Sequence, residues 1–194
     1  ITVRPEMVPQ VLLECGRKSV RGAVIITAGF SEIGNHELEK QVVESASMSQ
    51  IRVIGPNCAG FINTQLNLYA SIESRIAAGS VALITQSGAL GGAALAWARQ
   101  EQIGFSKFVS YGNRCDVDEA DLLEYLGEDE QTKVIAMYIE GLRDGRRFID
   151  VARRVGMKKP LLAIKSGRLG QGMKATISHT GAMAGSDRVY DGAF

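Results

Sequence analysis

The sequence predicts an α/β protein built around a doubly wound parallel sheet. Short apolar runs, suited to strands covered on both faces, alternate with segments of helical periodicity. Four of these runs, at residues 81–85, 108–111, 134–139 and 161–164, begin 27, 26 and 27 residues apart. Neighbouring parallel strands need a crossover of about a dozen residues or more, usually a helix. The spacing accommodates one helix between each pair of strands.

The helices of this series are predicted from apolar spacing and from acidic residues at their starts. The apolar face of one helix repeats at i, i+3, i+4 and i+7, at Phe148, Val151, Ala152 and Val155. A preceding helix is expected to begin near Asp118, Glu119 and Asp121, because carboxylates are stabilised at the positive end of the helix dipole.

Two shorter strands are predicted before this series, at residues 23–27 and 52–54, and Gly55-Pro56 ends the second. A helix between them is predicted from three apolar residues spaced four apart, Leu38, Val42 and Ala46. Residues 63–80 are predicted to form a connection with at most one short helix. Two strands cannot close a sheet alone, so residues 1–70 are expected to be the C-terminal part of a Rossmann-like unit, followed by a second domain over residues 79–194.

Composition excludes several function classes. The 22 Lys and Arg balance 21 Asp and Glu, and only 6% of residues are aromatic, which argues against a nucleic-acid-binding surface. No apolar stretch approaches the roughly 18 residues of a membrane-spanning helix. Three cysteines without a Cys-x-x-Cys pair argue against a disulfide framework and a zinc site, and fit a reducing cytoplasm. With only two histidines, no metal site is predicted.

Candidate functional residues follow the predicted strands, because ligands of open α/β sheets bind at the carboxyl ends of the strands. Ser87-Gly88 lies between a strand and a helix, where unpaired N–H groups and the helix dipole favour a bound anion. The alternative interpretation is an ordinary serine N-cap. The sequence at this point leaves both open.

His179 and Glu140 form the candidate catalytic pair. His179 is flanked by Ser178, Thr180 and Gly181, a polar setting that disfavours a core histidine. A neutral imidazole can attack phosphorus, and it needs a partner to fix its tautomer. Glu140 ends an apolar strand, where a carboxylate is costly unless it has a partner. The alternatives are a satisfied core histidine and a buried salt bridge between Glu140 and a neighbour such as Arg143.

Cys58 allows two interpretations, a nucleophile or a packing side chain. No base lies near Cys58 in the sequence, and free cysteine behaves mainly as a small hydrophobic residue. These observations favour packing.

As a set, several motifs resemble those of NDP-forming acyl-CoA synthetases, relatives of the succinyl-CoA ligase α subunit. The resemblance covers essentially the whole chain. The motifs are Ile54-Gly55-Pro56-Asn57-Cys58-Ala59-Gly60, Gln86-Ser87-Gly88-Ala89-Leu90, Tyr138-Ile139-Glu140-Gly141, Ser178-His179-Thr180-Gly181-Ala182 and Ala184-Gly185-Ser186-Asp187. The resemblance implies a flavodoxin-like second domain that carries a phosphohistidine loop.

The resemblance also implies roles for individual residues. His179 would carry a phosphoryl group between an acyl phosphate and a nucleoside diphosphate, Glu140 would hold the phosphohistidine, and Ser87-Gly88 would face the phosphate. The site for coenzyme A (CoA) would include the turn formed by Pro56, Asn57 and Cys58, near the thiol, and the turn at Gly29 and Phe30. Asn113 and Asp118 would lie on the same rim.

The partners implied are acyl-CoA, phosphate and an ATP-grasp domain or subunit that binds ADP or ATP with Mg²⁺, in an oligomeric assembly. Neither the glycine-rich segment that binds most of the CoA nor the ATP-grasp module occurs in this sequence, which is therefore expected to be a piece of a longer polypeptide. The alternative function is the acyl-CoA-sensing region of a protein lysine acetyltransferase. A third is a CoA-binding module without turnover.

Overall fold

The computed structural model describes residues 1–166, and these form a small parallel sheet and a larger, mostly parallel sheet, flanked by helices. The helices are α1 (Val8–Arg17), α2 (His36–Met48), α3 (Gly88–Gln100), α4 (Glu119–Glu128) and α5 (Gly145–Gly156). The strands are β1 (Gly22–Val24), β2 (Arg52–Ile54), β3 (Gly60–Asn63), β4 (Leu68–Ser71), β5 (Ala78–Thr85), β6 (Phe105–Ser110), β7 (Val134–Ile139) and β8 (Leu161–Lys165).

The smaller sheet pairs β1 with β2 in parallel. Leu12 of α1 and Val42 of α2 are buried in the same core as Val53 of β2. β1 ends before the predicted residue 27 because the chain turns to bond the N-terminal segment. The Ile26 N–H donates to the Ile1 carbonyl at 3.0 Å, and the Thr27 hydroxyl to the Val3 carbonyl at 2.8 Å.

The larger sheet has the strand order β4-β3-β6-β5-β7-β8. β6, β5, β7 and β8 are parallel to their neighbours, which confirms the predicted doubly wound sheet. β3 and β4 form an antiparallel hairpin on the edge of this sheet, with β3 paired antiparallel to β6. The prediction of a plain connection over residues 63–80 was therefore wrong. β4 is a four-residue edge strand whose side chains are partly exposed, so it lacks the continuous apolar run that marked the other strands.

Both faces of the larger sheet are covered by helices. Ala82 and Ile84 of β5 pack into a core with α4 and α5, whereas Leu83 between them packs into a core with α3. α3 approaches the sheet closely at Gly91, where an added Cβ would lie 2.8 Å from Thr85 Cγ2. Within residues 1–166, no helix combines the length and the apolar character needed to cross a membrane.

Polar residues of β6 are buried but paired. Ser106 bonds Thr132 through their hydroxyls at 2.7 Å, and Lys107 Nζ lies 2.8 Å from Asp129 Oδ2. β6 begins three residues before the predicted strand, because these polar side chains interrupt the apolar pattern in its N-terminal half. The Lys107–Asp129 ion pair lies at the end of α4 opposite to the helix start at Asp118.

The helix starts expected from acidic residues are confirmed at α4. The Asp118 carboxylate caps this helix by accepting the N–H groups of Ala120 and Asp121, each at 3.0 Å, and the Asp121 side chain accepts the Asp118 N–H in return. This reciprocal arrangement satisfies N–H groups that a helix start leaves unpaired. It fixes where the loop after β6 ends and α4 begins.

The interior of α4 offers a test of the packing. Leu123 is completely buried between the sheet and α5, whereas Tyr125 on the same helix is 58% exposed. We expect Leu123→Ala to lower the free energy of unfolding by about 2–5 kcal/mol, because it leaves a cavity in a close-packed core. Tyr125→Ala should cost about 1 kcal/mol or less. Denaturant unfolding followed by circular dichroism measures both, and equal losses would contradict this assignment of the core.

Candidate active site

The sequence-predicted site residues within the described part of the chain lie at the carboxyl ends of the parallel strands. Because β5 lies between β6 and β7, the loops that follow these three strands are neighbours on one edge of the larger sheet. The loops that follow β1 and β2 are bonded to the loop after β6. His179 lies outside the described residues, so its predicted role stays a prediction.

Ser87 caps α3. Its hydroxyl accepts the Leu90 N–H at 3.3 Å, and the Thr85 hydroxyl in turn accepts the Ser87 N–H at 3.1 Å and donates to the Ser87 carbonyl at 2.9 Å. The N-cap interpretation of the sequence is therefore confirmed. An N-cap and an anion site are compatible, because a helix start has several outward N–H groups and the cap uses only one. The first turn of α3 contains no acidic residue that would repel an anion.

Glu140 is 7% exposed and follows the last residue of β7. The backbone N–H groups of Glu140 and Gly141 both donate to Oε1 of Gln86, the latter at 3.0 Å. Gln86 immediately precedes Ser87, and its own N–H donates to the Tyr138 carbonyl at 3.3 Å. The structure thus brings Glu140 beside the start of α3.

Gln86 is a residue that sequence reasoning missed as part of the site. The sequence contains an indication of this role, because Gln86 lies at the end of an apolar strand and directly before the candidate anion-binding pair. A side-chain amide oxygen can accept two backbone N–H groups at once. Gln86 uses this capacity to fix the distance between the ends of β5 and β7.

Pro56, Asn57 and Cys58 form a turn that contacts the loop after β6. Asn57 has a positive φ of 56°, and its N–H donates to the Thr27 carbonyl at 3.0 Å. Its side-chain amide donates to Asn113 Oδ1 at 3.2 Å, while the Asn113 N–H donates to the Pro56 carbonyl at 2.9 Å. Gly112 has a φ of 51°, and a Cβ there would collide with the carbonyls of the turn. The close approach therefore requires glycine.

Asn113 also reaches the loop after β1. Its Nδ2 donates to the Ser31 hydroxyl at 3.1 Å and to carboxylate oxygens of Glu32 at 2.6 Å and Glu39 at 2.8 Å. Burial alone would raise the pKa of Glu32, but the N–H of Gly29 and the Asn113 amide hold that pKa below its ordinary value. The charged carboxylate therefore keeps the Gly29 turn attached to Asn113.

Phe30 cannot contact a ligand through its side chain, because the ring is completely buried in the core of the smaller sheet. Its backbone N–H bonds Glu32 at 3.2 Å. The cofactor-binding role predicted for Phe30 therefore cannot come from its side chain, and the role of Gly29 stays a prediction.

The turn after β2 and the start of α3 are in contact. The Ala59 N–H donates to the Ser110 hydroxyl at 3.0 Å, and a Cβ added to Gly88 would lie 3.3 Å from the Ala59 methyl group. The candidate phosphate site at Ser87-Gly88 and the candidate thiol site at Pro56-Asn57-Cys58 are therefore adjacent. In residues 1–166, no three His, Cys, Asp or Glu side chains are grouped so that they could hold a metal ion.

Cys58 is a packing residue in this structure. Its thiol is buried and donates to the Ile25 carbonyl at 3.3 Å, and burial raises its pKa to about 11. Cys115 is also buried, and burial together with the charges of Glu39 and Asp116 raises its pKa to about 12. At neutral pH both groups are protonated thiols, which are poor nucleophiles.

This protonation predicts slow alkylation. At pH 8 we expect Cys58 and Cys115 to react with iodoacetamide at least about ten times more slowly than the half-buried Cys15, since only the thiolate attacks. Mass spectrometry of the digested protein measures the three rates separately. Alkylation of Cys58 as fast as that of Cys15 would restore the interpretation of Cys58 as a nucleophile.

Comparison with known proteins identifies the family of the chain. Residues 78–194 match the succinyl-CoA ligase like flavodoxin domain. The whole chain is 53% identical to an acetate–CoA ligase (ADP-forming) of Methanocaldococcus jannaschii and 50% identical to the α subunit of acetate–CoA ligase (ADP-forming) II of Pyrococcus furiosus. It covers 28% and 43% of these proteins, so it spans less than half of their length.

A solved structure extends the similarity to three dimensions. The whole chain superposes with a TM-score of 0.96, at 44% identity, on 42% of the dinucleotide forming acetyl-coenzyme A synthetase 1 of Ca. Korarchaeum cryptofilum in complex with phosphate and ADP. The matched domain covers more than half of the chain. The chain therefore belongs to the succinyl-CoA ligase like flavodoxin domain family.

Proposed function

We propose that this chain is part of an NDP-forming acyl-CoA synthetase that interconverts acyl-CoA, ADP and phosphate with a free acid, CoA and ATP. One observation carries the proposal: the start of α3 at Ser87-Gly88, the buried Glu140 and the Pro56-Asn57-Cys58 turn adjoin on one edge of the sheet. The relatives named above are ADP-forming ligases, which favours a synthetase over the acyl-CoA-sensing region of an acetyltransferase.

The first step joins phosphate to the acyl group. A phosphate oxygen attacks the thioester carbonyl carbon, the C–S bond breaks, and the products are an acyl phosphate and the CoA thiolate. The positive end of α3 at Ser87-Gly88 stabilises the charge of the phosphate. The adjacent turn at Pro56, Asn57 and Cys58 places the thioester near that charge, and Asn113 keeps the turn in position.

The second step passes the phosphoryl group to His179. An imidazole nitrogen attacks phosphorus, the P–O bond to the acyl group breaks, and the free carboxylate leaves. Glu140 accepts a hydrogen bond from the other imidazole nitrogen, which fixes the tautomer and stabilises the positive charge that develops on the ring. Transfer to ADP then regenerates His179. The catalysis is mainly positioning and charge stabilisation.

The two parts of the chain have different roles in this proposal. We propose that residues 1–70 complete a CoA-binding domain, with Gly29 and the turn after β2 along the CoA, and that residues 79–194 form the phosphohistidine domain. The β3–β4 hairpin physically links them, because it continues the larger sheet. ADP and Mg²⁺ would be held by an ATP-grasp domain or subunit, with which this chain forms an oligomer. Mg²⁺ would neutralise the phosphate charges of the nucleotide.

Isotopic labelling tests the nucleophile. The intact enzyme, incubated with acyl-CoA and labelled phosphate, should acquire a label on His179 that is acid-labile and base-stable, as expected of a phosphoramidate. His179→Ala should abolish labelling and turnover, because no neighbouring side chain both attacks and leaves as imidazole does. His36→Ala is the matched control and should retain both, since His36 is an exposed residue of α2. Wild-type activity in His179→Ala would refute the mechanism.

Glu140 is tested by Glu140→Gln. We expect labelling to slow by about 10- to 100-fold, less than the full factor for acid–base catalysis, because the amide oxygen retains part of the orienting hydrogen bond. The KM for acyl-CoA should change little, since Glu140 does not lie on the CoA-binding turns. A wild-type labelling rate would remove Glu140 from the mechanism.

A further inference from the structure

Glu119, the first residue of α4, is a buried carboxylate without an assigned role. It is 1% exposed, although a glutamate at a helix start could stabilise the helix dipole equally well from the surface. It is not the helix cap either, because Asp118 performs that task. Burying a carboxylate costs free energy unless it is well paired. Its contacts therefore need a separate explanation.

One carboxylate oxygen of Glu119 holds the loop after β7. Oε1 accepts the backbone N–H of Arg143 at 2.8 Å, and Arg143 lies three residues beyond Glu140. A hydrogen bond from a backbone N–H to a charged acceptor is among the stronger kinds in proteins. The loop between β7 and α5 is thereby attached to α4.

The other oxygen faces an arginine that bonds the same loop. Oε2 lies 4.0 Å from Nε of Arg114, and Nη1 of Arg114 donates to the Gly141 carbonyl at 2.8 Å. Glu119 and Arg114 therefore both bind the backbone on the C-terminal side of Glu140. Gln86 binds the N–H groups of Glu140 and Gly141 from the direction of β5. Glu140 thus lies on a backbone segment held by three side chains.

The burial of Glu119 holds the loop after β7 in position at a cost in folding stability. Within residues 1–166, Glu119 Oε2 and the Tyr111 hydroxyl are the buried side-chain atoms that lack a hydrogen-bond partner. Burial raises the pKa of the Glu119 carboxyl, while the Arg143 N–H and the Arg114 charge oppose that shift. A buried polar group that is incompletely satisfied is a stability cost, and such costs concentrate at functional sites.

We propose that Glu119 is a positioning residue, which sets the place of Glu140 by fixing the Gly141–Arg143 backbone together with Arg114. The inference rests on the proposed function, because it assumes that Glu140 holds His179. A shift of the order of 1 Å in a catalytic group can cost about 100-fold in rate. Only two residues separate Glu140 from Arg143, so this segment transmits such a shift directly.

The test compares Glu119→Ala with Glu119→Gln in the intact enzyme. Glu119→Ala loses the acceptor for the Arg143 N–H, so phosphorylation of His179 by acyl-CoA and phosphate should slow by about 10- to 100-fold while the KM for acyl-CoA is unchanged. Glu119→Gln retains an acceptor oxygen and should recover most of the rate. Hydrogen exchange of the peptide containing the Arg143 amide should accelerate in Glu119→Ala but not in Glu119→Gln.

Asp129→Ala is the matched control. It breaks the buried Lys107–Asp129 ion pair at the far end of α4, so it should lower the stability of the domain but leave the phosphorylation rate unchanged. If Glu119→Ala does not fold, Arg114→Met replaces it, since this variant removes the bond to the Gly141 carbonyl and should slow phosphorylation similarly.

Each contrary result has its own meaning. A wild-type phosphorylation rate in Glu119→Ala, or in Arg114→Met if that variant is used, overturns the inference. Unchanged exchange at Arg143 in Glu119→Ala overturns it as well, because the contact would then not restrain the loop. A rate loss in Asp129→Ala as large as that in Glu119→Ala would mean that Glu119 acts only through the stability of the domain. That result overturns the inference too. Absence of His179 labelling in the wild-type enzyme instead refutes the proposed function.

Discussion

The parallel pairing of β5 with both β6 and β7 is the constraint on which the site depends. Parallel strands place all their carboxyl ends at one edge, so three loops that lie 25 to 30 residues apart in the chain become neighbours. Ser87 follows β5, Asn113 follows β6 and Glu140 follows β7. An antiparallel arrangement of the same strands would send one of these residues to the opposite edge.

Side-chain amides join these neighbouring loops. Gln86 bridges the ends of β5 and β7, and Asn113 bridges the turn after β2 and the loop after β1. Amides suit this task because each can donate and accept, and none changes charge between pH 5 and 8. Their bonds run largely to backbone groups or to carboxylates, so each amide holds its neighbouring loop through the main chain or through a charged group.

Much of this architecture could be predicted from local patterns. The central strands are near-continuous apolar runs, and strand-end residues such as Ser87 and Glu140 lie where α/β proteins bind ligands. The β3–β4 hairpin could not be found in that way, because short edge strands carry partly exposed side chains. Phe30 illustrates a second limit: the family resemblance placed it in a ligand-binding turn, whereas its ring is buried in the core of the smaller sheet.

Contacts between distant segments explain what sequence patterns missed at the site. Glu119 resembles any acidic residue in the first turn of a helix, and its burial becomes visible only when α4 packs beside the loop after β7. The double role of Gln86 likewise requires that β5 and β7 be adjacent. The periodicity of the sequence identifies the helix or strand to which a residue belongs. The pairing of the strands decides which loops that residue contacts.

The most direct test of the account is a crystal structure of the intact enzyme with phosphate bound. We expect the phosphate at the N–H groups of the first turn of α3, next to Ser87-Gly88, with the His179 ring between that phosphate and Glu140 and within about 3 Å of the Glu140 carboxylate. A phosphate bound elsewhere, with the His179 ring well ordered and far from Glu140, would contradict the central claim that this edge of the sheet is the site of phosphoryl transfer.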